Sequence, residues 1–359
     1  MQNIEKFKIS FSETIKSVIK NMDKNNLGIC ICIDQNDYVK GIFTEGDFRK
    51  AVYKGINLDE KVKKIMNKDY YFLKKNHKFY QAETIFKNEY TNYIPVLDRK
   101  KLVGLILRDK FLKNRKPLTK NLSNVVIIIA GGKGLRLDPF TRILPKPLIP
   151  INNEPIIKKI MNEFANFGMK NFYITLGDRA KMVKGYFHDH NLPFSIKYSE
   201  ESKPLGTAGS LSFFNNKFEN PVFVTNCDVI LKTNYNEILE FHKKNKNDLT
   251  IVASMKHVVV PYGICKITKK GNLINITEKP EYDFLANTGF YIMEPKTLSL
   301  VPKNKYLDMT NLIKILNKKK LKIGVYPVSS NSWSDVGNWS EYNKSLLKIT
   351  DDLQDDQQI

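Results

Sequence analysis

The chain has 359 residues, 58 lysines and arginines against 37 acidic residues, and a formal net charge of +21. That length exceeds what one hydrophobic core usually organises, so more than one domain is expected. An apolar content of 42% excludes wholesale disorder. No apolar run approaches the ~20 residues of a membrane span, and the first ten residues carry no signal-peptide core. Cys30, Cys32, Cys227 and Cys265 are spaced for neither a disulfide framework nor a four-thiolate zinc site, so a reduced, cytoplasmic protein is expected. The excess charge is mostly lysine mixed with asparagine, as in Lys243-Lys244-Asn245-Lys246-Asn247, with no arginine cluster or aromatic-interleaved basic stripe. It reads as a solvated surface rather than a nucleic-acid footprint.

In chain order, Ile15, Val18, Ile19 and Met22 are spaced for a helix, and Ile29 to Asp34 and Val39 to Phe43 read as strands joined by a turn. Asp47 to Lys54 reads as a second helix. The same series recurs about 63 residues on, with Ala82, Ile85 and Phe86, then Ile94 to Asp98, Leu102 to Ile106, and Asp109 to Lys113. A polar, proline-containing stretch over 113–124 follows and reads as a linker. The reading assigns 1–118 to a first module, 119–123 to the linker, 124–345 to a second domain and 346–359 to a polar acidic tail.

The second domain opens on Val125 to Ala130, a continuous apolar run of the kind found in buried parallel strands. Ile156, Ile157, Ile160, Met161 and Phe164 make a helical face within 154–167, closed by Gly168. Strands at 172–176, 195–199 and 222–225 alternate with helices at 179–189 and 207–214. This predicts a doubly wound α/β sheet with ligands at the carboxyl ends of its strands.

The first of those strands runs into Ala130, Gly131, Gly132, Lys133 and Gly134, followed by Arg136 and then Pro145-Lys146-Pro147. Glycines let a backbone approach phosphates and aim N–H groups at them, and Arg136 and Lys146 add positive charge. The Gly-Lys-Ser/Thr ending of a Walker loop is missing, and so is the dinucleotide-binding glycine spacing. Alone, this stretch is explained equally well by a turn.

Further motifs follow in order: Pro204-Leu-Gly206-Thr207-Ala-Gly209, Asn226-Cys-Asp228, Tyr262-Gly263, Glu278-Lys279-Pro280, Asn287-Thr-Gly289, and Trp333-Ser-Asp335-Val-Gly-Asn-Trp339. Singly, Asp228 could cap a helix, Asp335 and Asn287 could make turns, and Glu278 to Pro280 could be a surface turn. Taken in order across 124 to about 345, they resemble the sugar-phosphate nucleotidyltransferases. The resemblance implies a Rossmann-like, glycosyltransferase-A-like domain with a mixed, mostly parallel sheet. It implies nucleotide contacts at Ala130, Gly131, Gly132, Gly134, Arg136, Lys146, Gly206 and Thr207, and sugar-phosphate contacts at Gly263, Glu278, Lys279 and Asn287. It further implies Mg²⁺ on Asp228 and Asp335, and catalysis by Arg136, Lys146 and Asp228. Leu135 stands where the family has threonine, so a hydroxyl contact to phosphate is lost there.

The chemistry agrees with these residue types. A sugar-1-phosphate oxygen attacks the α-phosphorus of a nucleoside triphosphate and displaces pyrophosphate, so cations must bring two anions together. The attacking oxygen is already ionised and needs no base. The motifs accordingly hold no histidine, and His188, His190, His242 and His257 read as surface residues. Cys227 reads as a small buried residue.

The repeated helix–strand–strand–helix unit before the linker resembles a tandem α+β pair of cystathionine-β-synthase (CBS) domains, with Gly41 to Asp47 matching that family's ribose motif. This implies an adenine nucleotide held by Thr44 and Asp47, and a homo-oligomer. The second copy, Gly104 to Asp109, is one residue short and lacks the threonine. The alternative is a packing or dimerisation module alone. The Pro204 to Gly209 loop and the Trp333 to Trp339 ending resemble the guanylyltransferase branch. Fusion to a CBS pair resembles bacterial glucosamine-1-phosphate guanylyltransferases of legionaminic acid synthesis. GTP with glucosamine-1-phosphate is therefore the first expectation, and mannose-1-phosphate or another pair the alternative. A nucleotide sensor or scaffold is the non-enzymatic alternative, and neither nucleic acid nor membrane is expected as a partner.

Overall fold

The computed structural model describes residues 4–25, 27–88, 91–111, 121–151, 153–177, 179–190, 192–337, 339 and 342, except the side chains of residues 79, 87, 88, 109 and 110. The tail at 346–359, residues 119–120 of the expected linker and the Asp109 side chain lie outside that description. The chain divides into two units, Met1–Leu118 and Thr119–Ile359.

In the first unit, β1 (Lys8–Ser10), β2 (Ile29–Ile33) and β3 (Val39–Thr44) form one sheet, with α1 (Ile15–Asn25) and α2 (Glu45–Tyr53). A second sheet repeats it with β4 (Leu73–Lys74), β5 (Tyr93–Asp98) and β6 (Lys101–Leu107), with α3 (Phe79–Asn88) and α4 (Arg108–Phe111). The two expected hairpins are β2–β3 and β5–β6. β1 and β4 add parallel edges that the sequence reading missed, because strands of two or three residues carry no periodic signal. Ile29, Ile31, Val39 and Ile42 share one apolar cluster with Leu97, Leu102, Leu105 and Leu107, so the two repeats bury each other.

The second unit begins with β7 (Val126–Ala130) and a minimal hairpin, β8 (Pro150–Ile151) and β9 (Glu154–Pro155). Then come α5 (Ile156–Ala165), β10 (Asn171–Leu176), α6 (Ala180–Asp189), β11 (Ser195–Glu200), α7 (Gly206–Gly209), β12 (Val222–Asn226), β13 (Val229–Leu231) and α8 (Tyr235–Lys244). The remainder is β14 (Leu249–Val259), β15 (Ile264–Ile267), β16 (Leu273–Thr277), β17 (Glu281–Met293), α9 (Pro295–Leu298), α10 (Met309–Lys318), β18 (Ile323–Val328) and β19 (Trp333–Asp335).

Seven strands form the main sheet in the order β11-β10-β7-β12-β17-β14-β18. The first four run parallel, and β17 is antiparallel to both of its neighbours. Central β7 is buried throughout and alternates between faces. Val126, Ile128 and Ala130 join the cluster built on α5, α6 and α8, whereas Ile127 and Ile129 join Leu211, Phe214, Leu312 and Leu316 on the other face. Phe164 anchors the first cluster by stacking on Phe290 at 5.5 Å and tilting against Tyr235 at 4.9 Å.

Two expectations are corrected. The helix expected over 207–214 is a short α7 followed by a 3-10 turn over Ser210–Phe214, because Ala208 N and Gly209 N donate to Leu307 O instead of entering a continuous helical ladder. His242, read as a surface residue, is fully buried on α8. Its Nδ1 lies 2.8 Å from Thr250 Oγ1 and its Nε2 3.3 Å from Glu294 Oε1, so its polar atoms are satisfied inside the core.

Candidate active site

β7 and β12 are adjacent and parallel. Their carboxyl ends deliver two motifs side by side: the glycine loop after Ala130, and the Asn226-Cys227-Asp228 turn. β13 continues from that turn and pairs antiparallel with β19, which sets Asp335 opposite Val229. The Val336 N–H donates to Asp228 O at 2.9 Å and locks the two segments together. Residues more than 100 positions apart thus bring two carboxylates into one place.

Asp228 is 5% exposed. Lys146 Nζ donates to its Oδ2, and Arg136 Nη2 stands 4.0 Å from the same oxygen. A Cβ at Gly337 would collide with Asp228 Oδ2 while lying 2.7 Å from Asp335 Oδ1 and 3.0 Å from Arg136 Nη2. Both carboxylates and the guanidinium therefore converge over a residue that must be glycine. Burial, and then the Asp228 charge, push the Asp335 carboxyl above the usual range, although the Gly337 N–H, Lys146 and Arg136 pull it down. Burial works against the Lys146 charge, but Asp228 outweighs it and holds the ammonium above its ordinary value. Cys227 is buried, and burial pushes its thiol up to about 12, so it is no nucleophile.

Beside this cluster, Ala130, Gly132, Lys133, Thr141, Lys146 and Arg179 line a small hollow. Thr141 Oγ1 donates to Gly134 O at 3.1 Å. Arg179 fixes the far side of the loop by donating to Thr141 O at 2.8 Å and Arg142 O at 2.7 Å. Trp339 Nε1 donates to Asp138 O at 2.7 Å, and its ring lies 4.8 Å from that of Phe140. The loop is thus shaped by contacts from distant segments as well as by its glycines. Leu135 is 77% exposed.

The sequence reading missed Arg179 and Glu201. A Cβ at Gly131 would collide with Glu201 Oε1, so glycine is required there by the approach of a carboxylate. Glu201 Oε2 accepts from Leu205 N at 3.0 Å, while Oε1 is buried with no donor in hydrogen-bonding geometry among the described residues. Burial raises the Glu201 carboxyl, against smaller lowering effects of the Leu205 N–H and the Ser210 hydroxyl. Glu201 therefore links the glycine loop to the Leu205–Gly209 segment. Neither residue belongs to a motif named above; Glu201 lies three residues before the Pro204 loop, and Arg179 carries no local signal.

The remaining expected residues divide. Thr207 Oγ1 accepts from Met309 N at 2.8 Å and caps α10, and Leu307 N donates to Leu205 O, so this loop is held by the 307–309 segment. Asn287 accepts from Gly289 N at 3.1 Å and donates to Tyr291 Oη at 2.8 Å, and a Cβ at Gly289 would collide with the side-chain amide of Asn226 at 2.5 Å. Asn287 thus makes the turn that abuts the Asp228 segment. Gly263 and Glu278 face each other at the base of the β15–β16 hairpin. They and Lys279 are exposed, and no contact among the described residues ties them to Asp228.

In the first unit, Thr44 Oγ1 donates to Asp47 Oδ2 at 2.9 Å, and Thr44 N donates to the same oxygen at 3.0 Å. This is a capping box at the start of α2. A separate hollow lined by Phe11, Asp34, Lys40, Lys63, Met66 and Lys68 contains neither residue.

With this geometry in view, family models divide the chain in the same way. Residues 125–352 match the nucleotidyl transferase model, and 5–54 and 62–116 match the CBS domain. The chain belongs to the nucleotidyl transferase family. As a nucleotidyl transferase preceded by a CBS pair, it is 35% identical over 187 residues to a mannose-1-phosphate guanyltransferase of Yarrowia lipolytica, covering 49% of this chain and 50% of that protein. It is 32% identical over 230 residues to the Saccharomyces cerevisiae protein of the same name, covering 60% and 62%. The chain thus spans only about half to under two thirds of these relatives' length. HddC from Yersinia pseudotuberculosis, solved with GMP-PN, superposes with a TM-score of 0.51 at 23% identity, over 63% of this chain and 99% of that one. That likeness supports the fold. Among the described residues no helix is long and apolar enough to cross a membrane.

Proposed function

We propose that the protein transfers a nucleotidyl group from a nucleoside triphosphate, GTP first, to a hexose-1-phosphate, releasing pyrophosphate. The observation that carries this reading is the convergence of Asp228, Asp335, Arg136 and Lys146 at the ends of β7 and β12. A sugar-phosphate oxygen forms a bond to the α-phosphorus as the bond to the β-bridging oxygen breaks, and the displaced pyrophosphate carries away the charge. Arg136 and Lys146 would stabilise that developing charge. Glycine loop and cations hold the triphosphate, which converts a collision of two anions into a reaction between positioned neighbours.

The donor set fits Mg²⁺. Among the described residues no group of three or more histidines, cysteines and carboxylates gathers. Two carboxylates suit magnesium, which takes one or two protein carboxylates plus substrate phosphates. Bound by Asp228 and Asp335, magnesium would neutralise phosphate charge. Lys146 meanwhile keeps Asp228 paired and oriented.

Three features support GTP. The matched relatives carry guanyltransferase names. The Pro204 to Gly209 loop resembles that branch. Glu201 lies between the two nucleotide loops, and its carboxylate would complement the adjacent N1–H and N2–H donors of guanine on exchanging its Leu205 N–H bond for them. For the sugar, fusion to a CBS pair favours glucosamine-1-phosphate, while the relatives favour mannose-1-phosphate. For the sugar-phosphate subsite we assign Gly263, Glu278, Lys279 and Asn287. For the CBS pair we propose an adenine nucleotide whose ribose exchanges with the Thr44–Asp47 hydrogen bond. This is tested by titrating the full chain with AMP, ADP and ATP. The reaction is tested by pyrophosphate release from each of the common triphosphates with mannose-, glucose- and glucosamine-1-phosphate. Release in no combination sinks the reading, and the combination with the highest kcat/KM names the substrates.

A further inference from the structure

The first unit holds a cluster of cations that the Thr44–Asp47 motif does not use. Residues 61–68 read Lys61-Val-Lys63-Lys64-Ile-Met66-Asn67-Lys68, with no acid among them. Backbone bonds fix this segment against β3: Ile42 N donates to Asn67 O at 2.9 Å, and Asn67 N donates to Ile42 O at 2.8 Å. A Cβ at Gly41 would stand 2.8 Å from Asn67 O and 3.0 Å from Met66 Cγ, so glycine is what lets the segment approach. Its other end is tied down by Val62 N, which donates to Glu13 O at 2.9 Å.

The segment thereby walls a hollow of about 760 Å³ with Lys63, Lys64 and Lys68, and β3 adds Lys40. Asp34 brings the only carboxylate among the described lining residues. It is already committed, because Oδ1 accepts from Asn36 N at 2.9 Å and Tyr38 N at 3.0 Å while Oδ2 pairs with Lys40 at 2.9 Å. Lys64 pairs with Glu60 outside the lining. Among the described residues no ion pair reaches Lys63 or Lys68. Ammonium groups held around one concavity repel one another until an anion sits among them.

Size and lining narrow the anion. A lone phosphate leaves most of this volume unfilled, whereas the volume falls in the ~300–1,000 Å³ range of small-molecule sites. Phe11 and Met66, the latter 8% exposed, put an aromatic ring and a polarisable thioether in the lining, surfaces on which a planar base packs. The ribose motif lies elsewhere: Lys40 is near the start of β3 and Thr44 at its end, roughly 13 Å away along the strand. We infer that this hollow is a second ligand site of the first unit, binding a di- or triphosphate group through Lys40, Lys63, Lys64 and Lys68, borne by a nucleotide or free. It rests neither on the reaction assigned above nor on a ligand at Thr44 and Asp47.

The test uses the full chain and reads the hollow directly, because the second unit is expected to take up the same anions. Lys63 and Lys68 are exposed, so their acetylation by an amine-reactive ester is followed by peptide mass spectrometry, with exposed Lys319 as the reference. Pyrophosphate, tripolyphosphate, ATP, GTP, AMP and inorganic phosphate are titrated in turn. The expected result is a severalfold slower reaction at Lys63 and Lys68 with the di- and triphosphates and none at Lys319, AMP and phosphate needing about tenfold higher concentrations. Protection by ATP or GTP below the concentration at which tripolyphosphate acts identifies a nucleotide as the source; equal protection identifies the inorganic anion. Asp228→Asn and Thr44→Ala should leave protection unchanged, whereas K63E/K68E, its folding checked by circular dichroism, should lose protection at Lys40. No protection by any di- or triphosphate at millimolar concentration, equal protection at Lys319 or by AMP, loss of protection in Thr44→Ala, or retained protection of Lys40 in K63E/K68E would each overturn the inference.

Discussion

Asp47 in the first unit and Asp228 in the second are each 5% exposed, yet they do different things with that burial. Asp47 turns its Oδ2 to its own helix terminus, where the Thr44 N–H and hydroxyl satisfy it, and its Oδ1 lies 3.5 Å from Lys50 of the same helix. Asp228 faces side chains from distant segments: the Lys146 ammonium, the Arg136 guanidinium at 4.0 Å and the Asp335 carboxylate across Gly337. A buried carboxylate satisfied within its own helix turn is first a structural device. One satisfied by cations and crowded by a second carboxylate is poised for a charged ligand, because bringing like charges together costs energy that a cation returns.

The sharpest way to break the comparison is to remove a partner or a charge at each site. Asp228→Asn is expected to lower kcat by about 10³-fold, since it removes charge where the reaction needs it. Arg136 is 65% exposed in its side chain, so Arg136→Ala should leave the fold intact and lower kcat/KM by about 10²-fold. Glu201→Gln should lower kcat/KM for GTP by about tenfold while moving values for the other triphosphates less. Equal losses for all would assign Glu201 to loop support alone. In the first unit, Thr44→Ala should cost about 1 kcal/mol of stability by loss of the cap, read by denaturant unfolding, with turnover of saturated enzyme within twofold of wild type.

The smallest effect concerns His242. Burial holds its imidazole below the usual value, against the raising influence of Glu294 and Asp248. The unfolded chain therefore takes up a proton near pH 6.5 that the folded chain refuses, so stability is lost as pH falls through that value. His242→Gln should flatten the fall in melting temperature between pH 7 and 5. A wild-type curve no steeper than the variant's contradicts this.

Much of the second unit was legible because its signals are local. An unbroken apolar run became β7, buried on both faces. The spacing of Ile156, Ile157, Ile160, Met161 and Phe164 became the buried face of α5. The motifs after β7 and β12 needed only the rule that parallel strands deliver loops to one edge. What escaped depends on pairing across the chain. Glu201 and Arg179 acquire their positions from tertiary approach to Gly131 and Thr141. His242 sits among polar neighbours in sequence, yet α8 turns it inward onto Thr250. Thr207 is expected to contact nucleotide, and the acceptor role of its hydroxyl toward Met309 N, about 100 residues away, carries no local signal.

The most direct test of the convergence at Asp228 is pyrophosphate release by the full chain with GTP, with and without a hexose-1-phosphate, for wild type and Asp228→Asn. The account predicts release by wild type only when both substrates are present, and near-complete loss in a folded Asp228→Asn protein. Undiminished release by that variant, or none by wild type with any triphosphate and sugar phosphate, would contradict it.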